Sequence, residues 1–448
     1  MSLLSISPID GRYQKETKEL ANYFSEFALI RYRVFVEVEY LLTLSKTLSE
    51  IKLETANVNE LKNIYRNFNI EDAEKIKNIE ATTNHDLKAV EYFIREKIES
   101  LNIKKCSSFV HFGLTSEDIN NLAYHLMWQQ AIQKVYLPEI ENLKKQLKAL
   151  AKSYAAISLL ALTHGQPATP TTIGKEINVF ATRLNKQIEQ LKIHKLTGKL
   201  NGATGTWAAH QIAYPKIDWQ KFSQNFVASL NLQPNLVTTQ VEPNDSLSES
   251  YHNLIRINSI LIDLTRDFWF YISRGIFVQK KKETEVGSST MPHKINPIQF
   301  ENAEGNLGLA NSYFNHLATI LPVSRMQRDL SNSTVIRNQG IPLAHSLLAV
   351  KQIISGLERL SINQDKINKE LENHWEILTE AIQTIFRKNG DEQAYEKMKS
   401  LSRGKNLDKN MIQQIIQGSN IPTEEKTRLL QLNPKNYLGL AEKLSTID

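Results

Sequence analysis

The chain has 448 residues, enough for two or three domains and a large buried core, and its 41% hydrophobic and 23% charged residues exclude the fibrous, low-complexity and disordered classes. A net charge of +6 is small for this length, and the Lys280-Lys281-Lys282 run is balanced by Glu283 and Glu285, so no basic stripe points to nucleic acid. One cysteine, Cys106, excludes an internal disulfide and a cysteine-based zinc cluster.

The N-terminal Met1-Ser2-Leu3-Leu4-Ser5-Ile6-Ser7-Pro8 has neither a basic leader nor a long apolar stretch, and no uninterrupted apolar run reaches membrane-spanning length. A cytoplasmic chain without a membrane partner is expected. No proline occurs between Pro8 and Pro138, between Pro243 and Pro292, or between Pro342 and Pro422, and apolar residues recur at helical spacing within these spans. Ile140, Leu143, Leu147, Leu150 and Tyr154 step by three or four just after Pro138, which suits the first turn of a helix. Leu254, Ile257, Leu261, Leu264, Phe268 and Tyr271 mark a second helix, with Gly275 as its stop. Ile255, Ile260 and Trp269 widen that stripe almost all round, as in a bundle core or a subunit interface. Ile367, Leu371, Trp375, Leu378, Ile382 and Ile385 predict one further helix, ended by Asn389-Gly390.

Period-two alternation is scarce, so the expected fold is all-α, with a central bundle of long helices. Soft boundaries near 104–108 and 356–363 divide it into a helical domain over 1–105, a bundle domain over 106–357 and a C-terminal helical domain over 358–448. Polar loops are expected at 162–171, 198–206, 238–246 and 284–298.

Several of these segments carry groups suited to chemistry. Thr82-Thr83-Asn84-His85-Asp86 sets a histidine beside a carboxylate that could orient it or hold it charged. Thr115-Ser116-Glu117-Asp118 reads as a helix start, and free amides and hydroxyls there also bind carboxylate or phosphate. In Thr163-His164-Gly165-Gln166-Pro167, an imidazole between a hydroxyl and an amide suits a general acid or base, and it equally suits a helix cap. Gly198, Gly202 and Gly205 form a glycine-rich stretch without the spacing of a nucleotide loop. Gly287-Ser288-Ser289-Thr290-Met291-Pro292-His293-Lys294-Ile295-Asn296-Pro297 cannot be helical throughout, and its hydroxyls, amide and cation suit an anionic group. Arg325, Arg328 and Arg337, interspersed with Ser324, Ser333 and Thr334, either grip phosphate or pair with surface carboxylates. The 11 histidines show no metal-ligand spacing, and a mechanism free of metal and cofactor is expected.

Taken in order, these segments resemble the adenylosuccinate lyase family, in its bacterial long form, within the fumarase/aspartase superfamily. The match runs from Pro8-Ile9-Asp10-Gly11-Arg12-Tyr13 through TTNHD, TSEDINN, THGQPATP, TTQVEPND, GSSTMPHKINP, FENAEGN and SRMQRDLSNSTVIRN to Asn436-Tyr437-Leu438-Gly439. Fumarases, aspartases and argininosuccinate lyases share the GSS loop; the GRY start, TTNHD and HGQPATP are features of the adenylosuccinate branch. The resemblance implies β-elimination of fumarate from adenylosuccinate and from the ring-open intermediate SAICAR, in purine nucleotide biosynthesis. It further implies Ser288 as the base, His164 as the acid, and Lys294 with Asn296 on a substrate carboxylate. His85 with Asp86, and Thr115 with Ser116, would contact the succinyl or phosphate ends. Arg12, Tyr13, Arg328, Ser333 and Arg337 would hold the phosphate, Gln240 and Asn302 would complete the pocket, and Asn84, Ser289 and Thr334 belong to the same binding set. The implied assembly is a homotetramer whose sites are shared among three subunits.

Overall fold

The structure is a computed structural model that describes residues 3–280, 290–404 and 407–447. Its regular structure is overwhelmingly helical, as the patterning predicts. Among the described residues the strands are two or three residues long and pair only two by two. The elements that matter below are α1 (Glu26–Thr47), α2 (Ile70–Thr83), α3 (Asp86–Ser100), α4 (Ser116–Ala131), α5 (Leu137–Ser153), α6 (Asp245–Ser273), α7 (Ile298–Ile320) and α8 (Gly340–Glu358).

The expected stripe of α6 is the buried one: Leu254, Ile257, Leu261 and Leu264 are inaccessible and Phe268 nearly so. Trp269 and Phe270 remain 40% and 59% exposed, so part of the apolar surface has no cover within the chain. The helix stops where expected. Gly275 adopts φ +74°, and the Ile276 N–H closes on the Tyr271 carbonyl at 2.9 Å, a turn that a Cβ would strain.

One helix expectation holds with an addition, and one needs correction. Pro138 falls in the first turn of α5, as expected, but that turn is not a free helix end, because a π-helical turn, Ile132–Tyr136, leads directly into it. The wider turn ahead of the proline relieves the clash and the missing N–H that would otherwise break a helix there. The C-terminal stripe is broken into Gln364–Glu372, a 3₁₀ turn Trp375–Leu378 and Thr379–Lys388. The break falls at Asn373-His374, where the His374 backbone leaves the helical region at φ −128°, ψ 60° and its ring bonds the Glu376 carboxylate at 2.7 Å.

Two compact units form. The first comprises Met1–Ile140, Gln187–Ser259 and Gly305–Lys351, the second Glu141–Lys186, Ile260–Glu304 and Gln352–Asp448. In the first unit α1 lies against α4. Trp128 of α4 meets Tyr251 edge-on at 4.8 Å and Phe314 at 6.0 Å, and its indole N–H donates to Ser250 at 2.9 Å. Each such ring pair adds roughly 0.5–1.5 kcal/mol beyond its buried area. In the second unit Phe268 and Phe300 stack at 5.5 Å. The stretch Ser331–Glu358 has the length and hydropathy of a membrane span, but its apolar window is 72% buried inside the protein, as for a core helix.

The first unit also contains an ion pair from which water is excluded. Asp118 and Lys199 are both fully buried, 3.1 Å apart. The Asp118 carboxylate accepts the backbone N–H groups of Thr115 and Asn201 at 2.9 Å and of Gly202 at 3.2 Å. The Lys199 ammonium donates to the carbonyls of Gly202 at 3.0 Å and Gln240 at 2.7 Å. Three separate segments, 115–121, 199–202 and 238–240, are thereby fixed to one another. Gly205 permits the approach: a Cβ there would lie 2.1 Å from the Thr238 carbonyl oxygen. The glycine at 205 thus serves close backbone packing.

Replacing one member of such a pair leaves the other charge buried and unpaired, at a cost of about 3–5 kcal/mol. Lys199→Met is therefore expected to lose that much stability in chemical denaturation. Asp118→Asn combined with Lys199→Met should lose less than the two single losses added together. Wild-type stability in the single variant would mean that the pair does not hold these segments.

Candidate active site

The TTNHD segment makes a sharp junction between α2 and α3. Asn84, a residue type tolerant of the left-handed region, takes φ +52° and ends α2 with its N–H on the Glu80 carbonyl at 2.8 Å. His85 returns to extended backbone and caps α3, its Nδ1 accepting the Lys88 N–H at 3.1 Å. A backbone N–H can only donate, so Nδ1 is bare and the neutral ring carries its proton on Nε2.

The sequence suggests Asp86 as the group orienting His85. In the structure Lys88 does so through its backbone, and the Asp86 carboxylate is 3.9 Å from the ring nitrogen. Asp86 is instead gripped by Arg33 at 2.7 Å and Arg337 at 3.0 Å, with the Leu87 N–H on its other oxygen at 2.8 Å. Burial alone would push its carboxyl up; Arg33, the Leu87 amide and Arg337 outweigh it and hold it below the usual carboxylate range.

The second wall is the N-terminus of α4. Thr115 is its cap residue and Ser116 its first helical residue, as the motif predicts. The arginine segment faces it: Arg328 pairs with Glu117 at 3.0 Å, donates to Ser333 at 3.3 Å and reaches the Gln240 amide oxygen at 3.4 Å. Gln240 is tied down through its own amide, which donates to the Ala203 carbonyl at 2.8 Å, and Gln327 accepts its backbone N–H at 3.0 Å.

These groups enclose a cavity of about 460 Å³, lined by Arg33, Glu80, Asn84, His85, Asp86, Ser116, Asn120, Tyr124, Arg328, Leu330, Ser333 and Arg337. Two helix N-termini, two part-exposed arginines and two serine hydroxyls converge on it, a combination suited to a phosphate or carboxylate. Thr334 is exposed on the short helix Ser331–Ile336. Arg12 lies over the Tyr13 ring at 5.8 Å, in the turn before the helix Gln14–Thr17, and neither lines the cavity.

The remaining expected residues that the structure describes belong to the second unit. His164 sits at the tip of a hairpin formed by β1 (Leu162–Thr163) and β2 (Gln166–Pro167), with Thr163 opposite Gln166. His164 and Gly165 have φ +53° and +71°, the positive pair that a two-residue type I′ turn requires. The His164 side chain is exposed and caps no helix, whereas His85 caps α3 through its ring. Lys294 is exposed, Asn296 half-buried, and Asn302 lies in the first turns of α7. Ser288 and Ser289 lie outside the described residues. Among the described residues no cluster of three or more His, Cys, Asp or Glu side chains has a metal-binding arrangement.

The motif reading misses Arg33, Asn120 and Tyr124 on the cavity wall and the carboxylates Glu117 and Glu26 that the arginines hold. A usable signal exists for the first: Arg33 and Glu37 are charges four apart inside the apolar run of α1, and both are buried.

A family model described as lyase matches residues 11–310, and one described as adenylosuccinate lyase C-terminal matches residues 324–438. Adenylosuccinate lyases of Legionella pneumophila (strain Corby) and Haemophilus influenzae are each 48% identical to the chain. They align over 447 and 452 residues, covering 99% of this chain and 98% and 99% of their own. The Escherichia coli (strain K12) adenylosuccinate lyase is 48% identical over 444 residues, 98% of this chain and 97% of its own. Among solved structures, a fumarate lyase from Mesorhizobium sp. BNC1 superposes with a TM-score of 0.76 at 17% identity, covering 96% of both chains. A 3-carboxy-cis,cis-muconate lactonizing enzyme from Pseudomonas putida gives 0.74 at 20%, covering 96% and 95%. The two solved structures share the fold; the family follows from the sequence matches, which run almost from end to end. The chain is a lyase and belongs to the adenylosuccinate lyase family of the fumarase/aspartase superfamily.

Proposed function

We propose that the chain removes fumarate from adenylosuccinate, leaving AMP, and from SAICAR, leaving AICAR, and that it does so as a homotetramer with sites shared between subunits. The observation that carries the reading is the cavity of the first unit, where Arg328, Arg337, Ser116 and Ser333 meet two helix N-termini. Its chemistry fits a nucleotide monophosphate, and the relatives named above are adenylosuccinate lyases over their full length.

In the proposed reaction Ser288 takes the proton from the carbon next to a substrate carboxylate. The electron pair spreads onto that carboxylate, which becomes a doubly charged aci form. Lys294 and Asn296 stabilise it there, because fixed donors in a site shielded from water act most strongly where charge develops. The carbon–nitrogen bond then breaks with the electrons going to nitrogen, and His164 supplies the proton that nitrogen needs. A serine hydroxyl is a weak base in water, so the loop around Ser288 has to exclude water when it acts. Arg328, Arg337 and Ser333 hold the phosphate; Arg12, Tyr13 and Thr334, which do not line the cavity, are assigned to it by the family resemblance. Asn84, His85, Asp86, Thr115, Ser116, Gln240, Ser289 and Asn302 complete the binding set.

Incubating the purified chain with adenylosuccinate tests the reaction, with AMP and fumarate expected in equal amounts; fumarate released only from another substrate would overturn it. Ser288→Ala should lower turnover by roughly 10²–10⁴ while calorimetry still detects substrate binding. Near-normal turnover would reject Ser288 as the base. Arg328→Met removes a charge-assisted phosphate contact worth about 1.5–3 kcal/mol, so AMP affinity should fall roughly 10- to 100-fold. Fumarate, which has no phosphate, should bind with little change, and equal losses for the two ligands would place Arg328 elsewhere.

A further inference from the structure

Arg33 carries no motif, yet it joins three elements of the cavity. It lies on the buried side of α1 and is 2% exposed. Its Nε donates to Asn120 Oδ1 on α4 at 2.9 Å, and its Nη2 donates to Asp86 Oδ2 at the start of α3 at 2.7 Å. One guanidinium thus fixes the first turn of α3, whose cap is His85, against the second turn of α4, whose first residue is Ser116. A lysine has one charged atom and no planar fork, so it cannot reproduce both bonds in this geometry.

The same Asp86 oxygen also accepts from Arg337 at 3.0 Å. The two arginines differ in setting. Arg33 is enclosed, whereas Arg337 is 39% exposed and divides itself between Asp86 and Glu26, the latter at 3.3 Å. An arginine that is to reach an incoming anion has to leave its carboxylate partner, and that carboxylate, part-buried here, then needs another counter-charge.

We propose that Arg33 is a positioning residue for this pocket. It is the permanent counter-charge of Asp86, and it thereby releases Arg337 to exchange Asp86 and Glu26 for the phosphate of the ligand. The inference rests on the proposed nucleotide function and adds to it a division of labour between a fixed and an exchangeable arginine. Without Arg33, Asp86 has Arg337 as its remaining guanidinium, and phosphate has to compete with a carboxylate for it.

The test is calorimetric titration of AMP into the full-length wild-type chain and into Arg33→Met, Arg33→Lys, Asp86→Asn and the Arg33→Met/Asp86→Asn double variant, each checked for folding by circular dichroism. Arg33→Met should bind AMP about tenfold or more weakly, the loss of roughly one charge-assisted bond. The double variant should bind more tightly than Arg33→Met, because the neutral amide no longer retains Arg337. A purely structural role for Arg33 predicts no such recovery. Arg33→Lys should fall between wild type and Arg33→Met, and it decides the matter if Arg33→Met does not fold. AMP binding unchanged in the folded Arg33 variants, or a double variant no tighter than Arg33→Met, would overturn the inference. A wild-type chain that does not bind AMP would instead overturn the nucleotide reading on which it rests.

Discussion

The buried pair of Asp118 and Lys199 is the constraint on which the site depends. Neither charge reaches water, and each is fully engaged, Asp118 by backbone amides and Lys199 by backbone carbonyls. A pair of this kind adds little net stability compared with apolar packing, since desolvation offsets most of the attraction. Its effect here is geometric. The start of α4, the glycine-containing segment around 202 and the segment carrying Gln240 have one low-energy arrangement relative to one another. Asn121 reinforces it by bonding both the N–H and the carbonyl of Lys199, at 2.9 and 3.1 Å. Ser116 consequently meets the cavity from fixed backbone, and Gln240 meets Arg328 from it.

Within that frame the pocket of the first unit is electrically balanced. Arg328 rests on Glu117, and Arg337 on Asp86 and Glu26. A cluster of unpaired arginines would repel itself and destabilise the folded chain; carboxylates at hand remove that cost and keep the guanidinium groups near the position where an anion enters. Of the two alternatives that the sequence presents for this segment, the salt-bridge network is the one the free protein forms, and it is compatible with the proposed phosphate recognition. The exposed arginines are held by carboxylates in the free protein, and the proposed ligand replaces those carboxylates.

Much of this was legible in the sequence, for reasons that differ from element to element. The long helices follow from proline-free spans with apolar residues three and four apart, and α6 ends at Gly275 because a left-handed residue is needed there. The cap at Thr115 follows from hydroxyl and acid at helix-start spacing. Pro138 marks the first turn of α5 as expected, but the π turn that runs into it and absorbs its clash is an adjustment that periodicity does not register. The C-terminal stripe misleads because spacing of three and four persists across the break at Asn373-His374. Histidine roles are the hardest to read. His164 and His85 each sit among hydroxyls and amides in the sequence, and only backbone conformation separates a hairpin tip from a helix cap. Arg33 escapes motif reading because its partners, Asp86 and Asn120, lie 53 and 87 residues away.

In the proposed function the cavity of the first unit is one part of a site that other copies of the chain complete. In the proposed reaction His85 lies beside the bound nucleotide and His164 protonates the leaving nitrogen, the two being supplied by different subunits. Mixing His85→Gln and His164→Gln chains tests this most directly. Each variant alone should be nearly inactive. After mild dissociation and reassembly together, some sites receive both wild-type histidines, and a sizeable fraction of activity should return. A site built within one chain would keep one defect everywhere, so verified mixed assemblies as inactive as their parents would contradict the account.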